Sequence, residues 1–210
     1  MLPPTIPIFP LPNVVLFPHA LLPLHVFEFR YRDMVKAAIQ SHHLIGMVLL
    51  RPGFEQDYEG RPPVYTVGCA GAITHCRRLD DGRYNIVLQG VEKFRVSGED
   101  NSQSFRQAHI ESLPESATGP THAEIKRRRL RLDALLAMSI EHTGSHPRLP
   151  ETASDDALVN ALAQYLDFKP VERQALLERD GTLARADSLI ELLEMRLKTN
   201  SGHSDGGAVH

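Results

Sequence analysis

The chain has 210 residues, of which 42% are hydrophobic and 23% are charged, and its formal net charge is −3. This composition is typical of a folded globular protein, and the length allows one large domain or two small ones. Residues 1–112 carry 11 basic and 11 acidic side chains and residues 113–210 carry 12 and 15, so neither half has the basic excess of a nucleic-acid-binding protein.

The first 24 residues contain seven prolines and no Lys or Arg, and apolar side chains alternate from Ile6 onward. A signal peptide needs a basic region before its apolar stretch, and here the first basic residue is Arg30. A membrane-spanning helix needs roughly 20 apolar residues, whereas each proline here removes a backbone donor. The segment therefore predicts extended structure at the edge of a sheet, bent at Pro12-Asn13 and at Phe17-Pro18.

Residues 5–112 read mostly as β-strands. Apolar runs occupy Leu44–Leu50 and Val64–Cys76, and the alternating pattern resumes over Arg83–Val96. Asp81-Gly82 lies between two such runs and predicts a tight hairpin, because the turn needs a positive φ.

One helix is predicted in this half, at about Tyr31–Ser41. It follows the segment His25–Arg32, which contains two Phe, one Tyr and two Arg. Arg and Tyr dominate many protein interfaces, so this segment is a candidate binding surface. The structural alternative, which the sequence leaves open, is that Phe27 and Tyr31 lie in the core and Glu28 pairs with an arginine.

The composition changes at Leu113–Pro120, a stretch of Pro, Ser, Thr and Gly that predicts a linker. Capping signals and helical spacing then predict four helices. They begin near Thr121, Ser154, Pro170 and Leu183. The sequence thus predicts an α+β fold with four parts: a β-rich subdomain 1–112, a linker 113–120, a helical bundle 121–197 and a disordered polar tail 198–210.

The sequence contains no phosphate-binding loop and no Gly-x-Ser-x-Gly nucleophile elbow. His142 and His146 have the spacing of a helical zinc pair, but Gly144 between them ends the helix that would align them. The six-residue separation of Cys69 and Cys76 fits neither a zinc site nor a redox pair, which favours reduced thiols. We therefore predict no catalytic residue, no metal and no cofactor.

A basic cluster, Lys126–Arg129 with Arg131, falls in the first of the four predicted helices. It could be a patch for nucleic acid or for an acidic partner. The alternative is a solvated helix face opposite buried apolar residues, and the nearby acidic residues favour this second interpretation.

Four segments closely resemble the N-terminal, substrate-binding domain of the ATP-dependent Lon protease family. They are Ile6–Pro18, Leu22–Val35, Val67–Ile73 and Asp81–Val96. Glu172–Glu178 is similar to the short helix that precedes the last bundle helix of that family. Phe29 departs from the pattern, because relatives usually have proline there.

The resemblance implies a PUA-like, bent β-barrel with one helix, followed by a helical bundle. It also implies recognition of protein segments, and it transfers no catalytic residue. In Lon, ATPase and protease modules follow this domain, and this chain ends before either could begin. We therefore expect a free-standing, cytoplasmic, non-catalytic relative of the Lon substrate-binding domain.

The expected function is binding of unfolded or exposed apolar polypeptide in a groove beside Phe17, Phe27 and Tyr31. Arg30 and Arg32 are expected at its polar rim. Neither a membrane nor a nucleic acid is expected as a partner, and weak homo-oligomerisation stays open. An RNA-binding PUA-like module and a hydrolase with an unrecognised site are the alternatives. Steeply salt-dependent RNA binding would favour the first, and a clustered Ser, His and Asp would favour the second.

Overall fold

A computed structural model describes residues 1–58, 60–100, 102–115, 122–143 and 154–203 of the protein. Within these residues the first elements are β1 (Thr5–Leu11), β2 (Leu21–Val26), α1 (Phe29–Gln40), β3 (Leu44–Leu49), β4 (Val67–Arg78), β5 (Tyr84–Asp100) and β6 (Gln107–Leu113). The later elements are α2 (His122–Thr143), α3 (Asp155–Tyr165), α4 (Pro170–Leu177) and α5 (Gly181–His203). This content confirms the predicted α+β class.

The helix boundaries differ from the sequence prediction at the start of α1 and at both ends of α5, which begins at Gly181. α1 begins at Phe29, two residues earlier than predicted, and Glu28 precedes it in an extended conformation with φ −65° and ψ 139°. α5 extends to His203, so residues 198–203 are helical although the sequence predicted a disordered tail there. Most of the predicted linker, the predicted helix start at Thr121 and the rest of the tail lie outside the described residues.

The chain divides into two compact units that do not follow the chain order. The first unit contains Met1–Glu115 and Asn160–Glu178. The second contains the described residues within Ser116–Val159 and Arg179–His210, and its main helical contact joins α2 to α5. All strands in the described part of the chain precede Thr121. The four-part division predicted from the sequence stays a prediction.

The six strands of the first unit form one sheet in the order β2-β5-β4-β3-β1-β6. β5 has 17 residues and also pairs with β6, so five strands close into a ring and β2 is added outside β5 as an edge strand. Only β1 and β3 pair in parallel, since β2 and α1 lie between them in the chain. The sheet encloses an apolar core formed by Ile6, Ile8, Val48, Ala70, Phe94, Ala108 and Ile110.

The predicted position at a sheet edge is wrong for β1, which is paired on both sides, and is confirmed for β2, which begins at Leu21 and is the edge strand. Its first half, Thr5–Pro7, pairs antiparallel with β6, and its second half, Ile8–Leu11, pairs parallel with β3. Each side of β1 is therefore paired over about half of its length. The prolines of β1 do not exclude the strand from the interior of the sheet.

The positions of the prolines explain how β1 keeps its ladders. Ile8 donates its N–H toward the β6 side at 2.9 Å, and the Leu11 carbonyl accepts from the β3 side at 3.0 Å. Successive residues of a strand direct their backbone groups to opposite sides. Pro10 therefore faces the β6 side, where the pairing of β1 with β6 has already ended, and Pro7 faces the β3 side, where the pairing with β3 has not yet begun. The N–H group that each proline lacks would thus not have formed a hydrogen bond between strands.

Asn160–Glu178 are joined to the sheet by side chains that hydrogen-bond to its backbone. The amide oxygen of Gln164 accepts from the Phe17 N–H at 3.1 Å, and the Tyr165 hydroxyl donates to the Leu21 carbonyl at 3.0 Å. Gln174 is buried and donates from Nε2 to the Val67 carbonyl at 3.0 Å. The bonds to Phe17 and Val67 are buried and satisfy backbone groups that would otherwise lack partners, whereas the bond to Leu21 lies at the surface.

Candidate functional site

The five residues predicted to bind polypeptide do not share one surface. Phe17 is fully buried and Tyr31 is only 5% exposed, with its ring centroid 4.3 Å from that of Phe9 in the core. Phe27 is 60% exposed. The structural alternative is thus correct in placing Tyr31 in the core, but not in placing Phe27 there. The binding role of the five residues stays a prediction.

Arg30 and Arg32 face different sides of α1. Consecutive residues of an α-helix are rotated by about 100°, so two residues apart point to roughly opposite sides. The predicted common rim is therefore divided between two places. One is a pocket beside Arg30, and the other is a surface beside Arg32.

On the first side, Arg30 forms an ion pair with Glu28 at 3.1 Å, as the structural alternative predicted. Its guanidinium lies 4.8 Å from the ring centroid of Tyr31 and 5.5 Å from that of Tyr58. The Tyr58 hydroxyl donates to Glu28 at 3.3 Å. Two rings and one carboxylate thus fix the direction of the Arg30 side chain, since a guanidinium is attracted both to ring faces and to anions.

Beside this cluster is a pocket of about 210 Å³, which we call the arginine–tyrosine pocket. It is lined by Pro10, Arg30, Tyr31, Leu50, Tyr58, Gly60, Arg61, Pro62, Ser104, Phe105 and Arg106. Five separate chain segments of the first unit supply these residues, so no local motif could have revealed the pocket.

Arg106 forms the most buried charged wall of the pocket. Its side chain is 9% exposed, and its Nε donates to Glu99 at 2.8 Å. Its Nη2 also donates to Glu99, and its Nη1 donates to the Pro62 carbonyl at 2.8 Å. Arg61 lies 3.9 Å from Glu99, and its side chain is 36% exposed. Arg61 is therefore the loosest cation at the pocket.

Burial raises the pKa of Tyr31 to about 12, with a smaller opposing effect from the positive charge of Arg30. The folded protein thus holds the neutral hydroxyl. The contribution of the neutral Tyr31 side chain to the free energy of unfolding is complete below pH 10, which is the ordinary pKa of tyrosine. This contribution is lost as the pH rises to the folded-state pKa of about 12.

A rapid alkaline pH jump followed by tyrosinate absorbance checks this shift. The folded protein is expected to show one tyrosine ionising near pH 12, and Tyr31→Phe is expected to remove that step. The unfolded chain, where tyrosines ionise at about 10, is the reference. Removal of a step near pH 10 instead would contradict the predicted burial effect.

On the other side of α1 is a surface that we call the aromatic surface, formed by His25, Phe27, Phe29 and Arg32. Phe27 is 60% exposed and Phe29 is 79% exposed. His25 stacks on Phe27 with ring centroids 6.2 Å apart, and the Arg32 guanidinium lies 4.8 Å from the Phe29 ring centroid. Sequence reasoning missed Phe29 as a site residue, although its departure from the family pattern was a signal.

Arg32 lies against the hairpin turn that connects β4 and β5. Gly82 has φ +82° in this turn, which confirms the predicted Asp81-Gly82 hairpin. A side chain at Gly82 would meet Arg32 Nη2 at 2.1 Å, so glycine leaves the space that this guanidinium occupies. The buried Arg32 Nε has no hydrogen-bond partner among the described residues. The aromatic surface therefore contains a cation whose hydrogen-bonding capacity is not used.

The basic cluster of α2 is paired with carboxylates of α3 and α5. Arg128 donates to Asp187 at 2.8 Å, Arg129 to Asp155 at 3.1 Å, and Arg131 to Glu194 at 3.1 Å. These pairs offset the local positive charge. They favour the interpretation as a solvated helix face over a patch for nucleic acid.

Among the described residues, no group of three or more His, Cys, Asp or Glu side chains could hold a metal ion. The side chains of His142 and His146 lie outside the described residues. Cys69 is buried and Cys76 is exposed, and neither forms a disulfide among the described residues. No α-helix in the described part of the chain combines the length and apolar character that crossing a membrane requires.

Sequence comparison identifies a family over nearly the whole chain. The family described as the ATP-dependent protease La (LON) substrate-binding domain matches residues 5–195. Lon protease 2 of Myxococcus xanthus is 29% identical over 203 residues, or 93% of this chain and 24% of that protein. Lon protease 2 of Syntrophobacter fumaroxidans is 30% identical over 206 residues, or 94% of this chain and 25% of that protein. The chain thus spans about a quarter of the length of these curated relatives.

Two solved structures show the same fold. A Lon N-terminal domain protein from Xanthomonas campestris has a TM-score of 0.63 at 23% identity, covering 89% of this chain and 97% of that one. The N-terminal domain of Mycobacterium avium complex Lon protease has a TM-score of 0.63 at 17% identity, covering 90% and 98%.

Proposed function

This chain belongs to the family of Lon substrate-binding domains, and we propose that it binds exposed apolar segments of unfolded polypeptide through the aromatic surface. In this proposal the protein recognises its client and performs no reaction on it. The family description names substrate binding, and the relatives are Lon proteases, so the proposed clients are polypeptides. Because the chain spans about a quarter of those relatives, the proposal takes only the binding role from them.

The exposure of two aromatic side chains, two positions apart in the sequence, is the observation that carries the proposal. Phe27 is 60% exposed and Phe29 is 79% exposed, at the point where β2 passes into α1. A single exposed apolar side chain is ordinary on a protein surface, but a contiguous group of them marks an interaction site. Here the group also contains Arg32, a side chain that is common at binding hot spots.

The expected affinity is modest. Burying a phenylalanine side chain contributes about 1.5–3 kcal/mol, and ordering an unfolded segment removes part of that gain. A short peptide is therefore expected to bind in the micromolar range or more weakly. Burial of apolar area is not directional, so binding through this surface tolerates many client sequences.

The double substitution Phe27→Ala with Phe29→Ala tests the proposal. Binding of a permanently unfolded protein, reduced and alkylated, is expected to weaken about tenfold or more, measured by fluorescence anisotropy. Because both side chains are largely exposed, the thermal midpoint is expected to stay close to that of the unmodified protein.

The matched control replaces two other exposed apolar residues of the first unit, Val91→Ala with Val171→Ala. This control is expected to bind the unfolded protein as tightly as the unmodified chain. Equal binding by the phenylalanine variant and the control would contradict the proposed site. Arg32→Gln, which removes the charge beside Phe29, is expected to weaken binding less than the double substitution.

A further inference from the structure

We propose that the arginine–tyrosine pocket binds a carboxylate of the client polypeptide, either its C-terminal carboxylate or an acidic side chain. This inference rests on the proposed function, because it assigns a second contact to the same client. It concerns a different set of residues, however, so the two proposals can fail separately.

Guanidinium groups are the features of the pocket that can bind an anion. Three of them line it, from Arg30, Arg61 and Arg106. The carboxylates of Glu28 and Glu99 pair with them, and the Asp57 carboxylate lies against Gly60 in the lining, so the described charges balance. A carboxylate ligand would therefore be held by hydrogen bonds from individual guanidinium groups and not by an excess of positive charge.

Donors for that carboxylate are already present. A guanidinium has five N–H groups, and Arg106 uses three of them for Glu99 and the Pro62 carbonyl. The other two have no acceptor among the described residues. Arg61 is held only loosely by Glu99, at 3.9 Å, so its side chain can turn toward a ligand without breaking a close ion pair.

Tyr31 also lines the pocket and is 5% exposed. Its hydroxyl can donate a hydrogen bond to a group that enters. This hydroxyl remains a donor at neutral pH, and a carboxylate is an acceptor.

Part of the remaining lining is apolar. Pro10, Leu50 and Phe105 are buried and contribute to the wall of the pocket. A group that joins a carboxylate to an apolar side chain, as the last residue of a polypeptide does, satisfies both the charged and the apolar part of the lining.

A client that reaches both places has to pass around α1. Arg30 borders the pocket and Arg32 belongs to the aromatic surface, on roughly opposite sides of a helix whose diameter with side chains is about 10–12 Å. Because an extended chain advances about 3.3–3.6 Å per residue, a segment of at least about five residues is needed to connect a carboxylate in the pocket with an apolar side chain against Phe29.

The first experiment uses small ligands and the full chain. N-acetyl-leucine, which carries the carboxylate, is titrated against N-acetyl-leucinamide, which lacks it, with NMR detection of the pocket residues. The acid is expected to shift their signals with millimolar affinity, and the amide is not. Arg61→Gln and Tyr31→Phe are each expected to weaken the acid about fivefold, since each removes one hydrogen-bonding group. Arg51→Gln, an exposed arginine outside the pocket, is the control and is expected to bind normally.

Equal shifts with acid and amide, or shifts with neither, would overturn the inference.

A second experiment compares three otherwise identical apolar peptides: a free C-terminus, an amidated C-terminus, and an amidated C-terminus with one internal Glu. Tighter binding of the first identifies the chain terminus, and tighter binding of the third identifies an acidic side chain. Equal binding of all three would also overturn the inference. If no peptide binds while N-acetyl-leucine does, the proposed function fails and the carboxylate site stands.

Discussion

Replacing Gly90 by alanine is expected to destabilise the protein by about 3 kcal/mol or more, because the new methyl group has no room. A Cβ at this position would lie 2.0 Å from the carbonyl oxygen of Phe17 and 3.1 Å from Cα of Pro18. The contact is with backbone, so it cannot be relieved by turning a side chain. Hydrogen bonds hold the crossing on both sides, from His19 N–H to the Gly90 carbonyl at 2.8 Å and from Gly90 N–H to the Ala20 carbonyl at 2.9 Å.

Gly98→Ala is the matched control, since it lies on the same strand and the nearest atom to its Cβ would be His109 Cδ2 at an ordinary 3.6 Å. Urea unfolding followed by circular dichroism measures both variants. The Gly98 variant is expected to unfold near the midpoint of the unmodified protein, and the Gly90 variant at a much lower urea concentration. Midpoints that agree would show that the chain moves apart at Phe17 without significant loss.

The second large effect is expected at the ion pair of Glu99 and Arg106. Arg106 is the more buried partner, with a side chain 9% exposed against 23% for Glu99. Removing the negative charge by Glu99→Gln leaves a buried guanidinium without an anion, which costs about 3 kcal/mol. Arg106→Met leaves a partly exposed carboxylate that Arg61 can still approach, so the expected loss is about 1–2 kcal/mol.

The double variant, Glu99→Gln with Arg106→Met, tests the explanation. It removes both charges, so it is expected to be more stable than Glu99→Gln alone, measured as the free energy of unfolding in urea. Asp81→Asn, at an ion pair whose two side chains are about half exposed, is the control and is expected to leave stability nearly unchanged. Additive losses in the double variant would mean that the two side chains contribute independently and not as a pair.

The sequence predicted the parts of this protein that local pattern decides. Alternation of apolar residues predicted the strands, three-to-four-residue spacing predicted the helices, and Asp81-Gly82 predicted the hairpin. Each depends on residues close together in the chain, whose backbone preferences act before any tertiary contact forms. The family could also be recognised, because its motifs are short continuous segments.

The candidate site followed from the sequence only in part. The density of aromatic and arginine residues between His25 and Arg32 predicted a binding surface in this segment, and that binding role stays a prediction. The density did not reveal that Tyr31 turns into the core or that Arg30 and Arg32 face different sides of α1. Composition says which side chains are available. The direction in which each side chain points depends on where the helix begins, and α1 begins at Phe29.

Tertiary structure alone decided three further features, each through contacts between residues distant in the chain. β1 lies inside the sheet because its first half pairs with β6 on one side and its second half pairs with β3 on the other. Its prolines therefore face positions where no neighbouring strand is paired. Asn160–Glu178 join the first unit because Gln174 bonds to the Val67 carbonyl across 107 positions of sequence. The arginine–tyrosine pocket forms where five separate segments meet. No local pattern encodes these contacts, because their free energy is gained only when burial and hydrogen bonding bring the distant segments together.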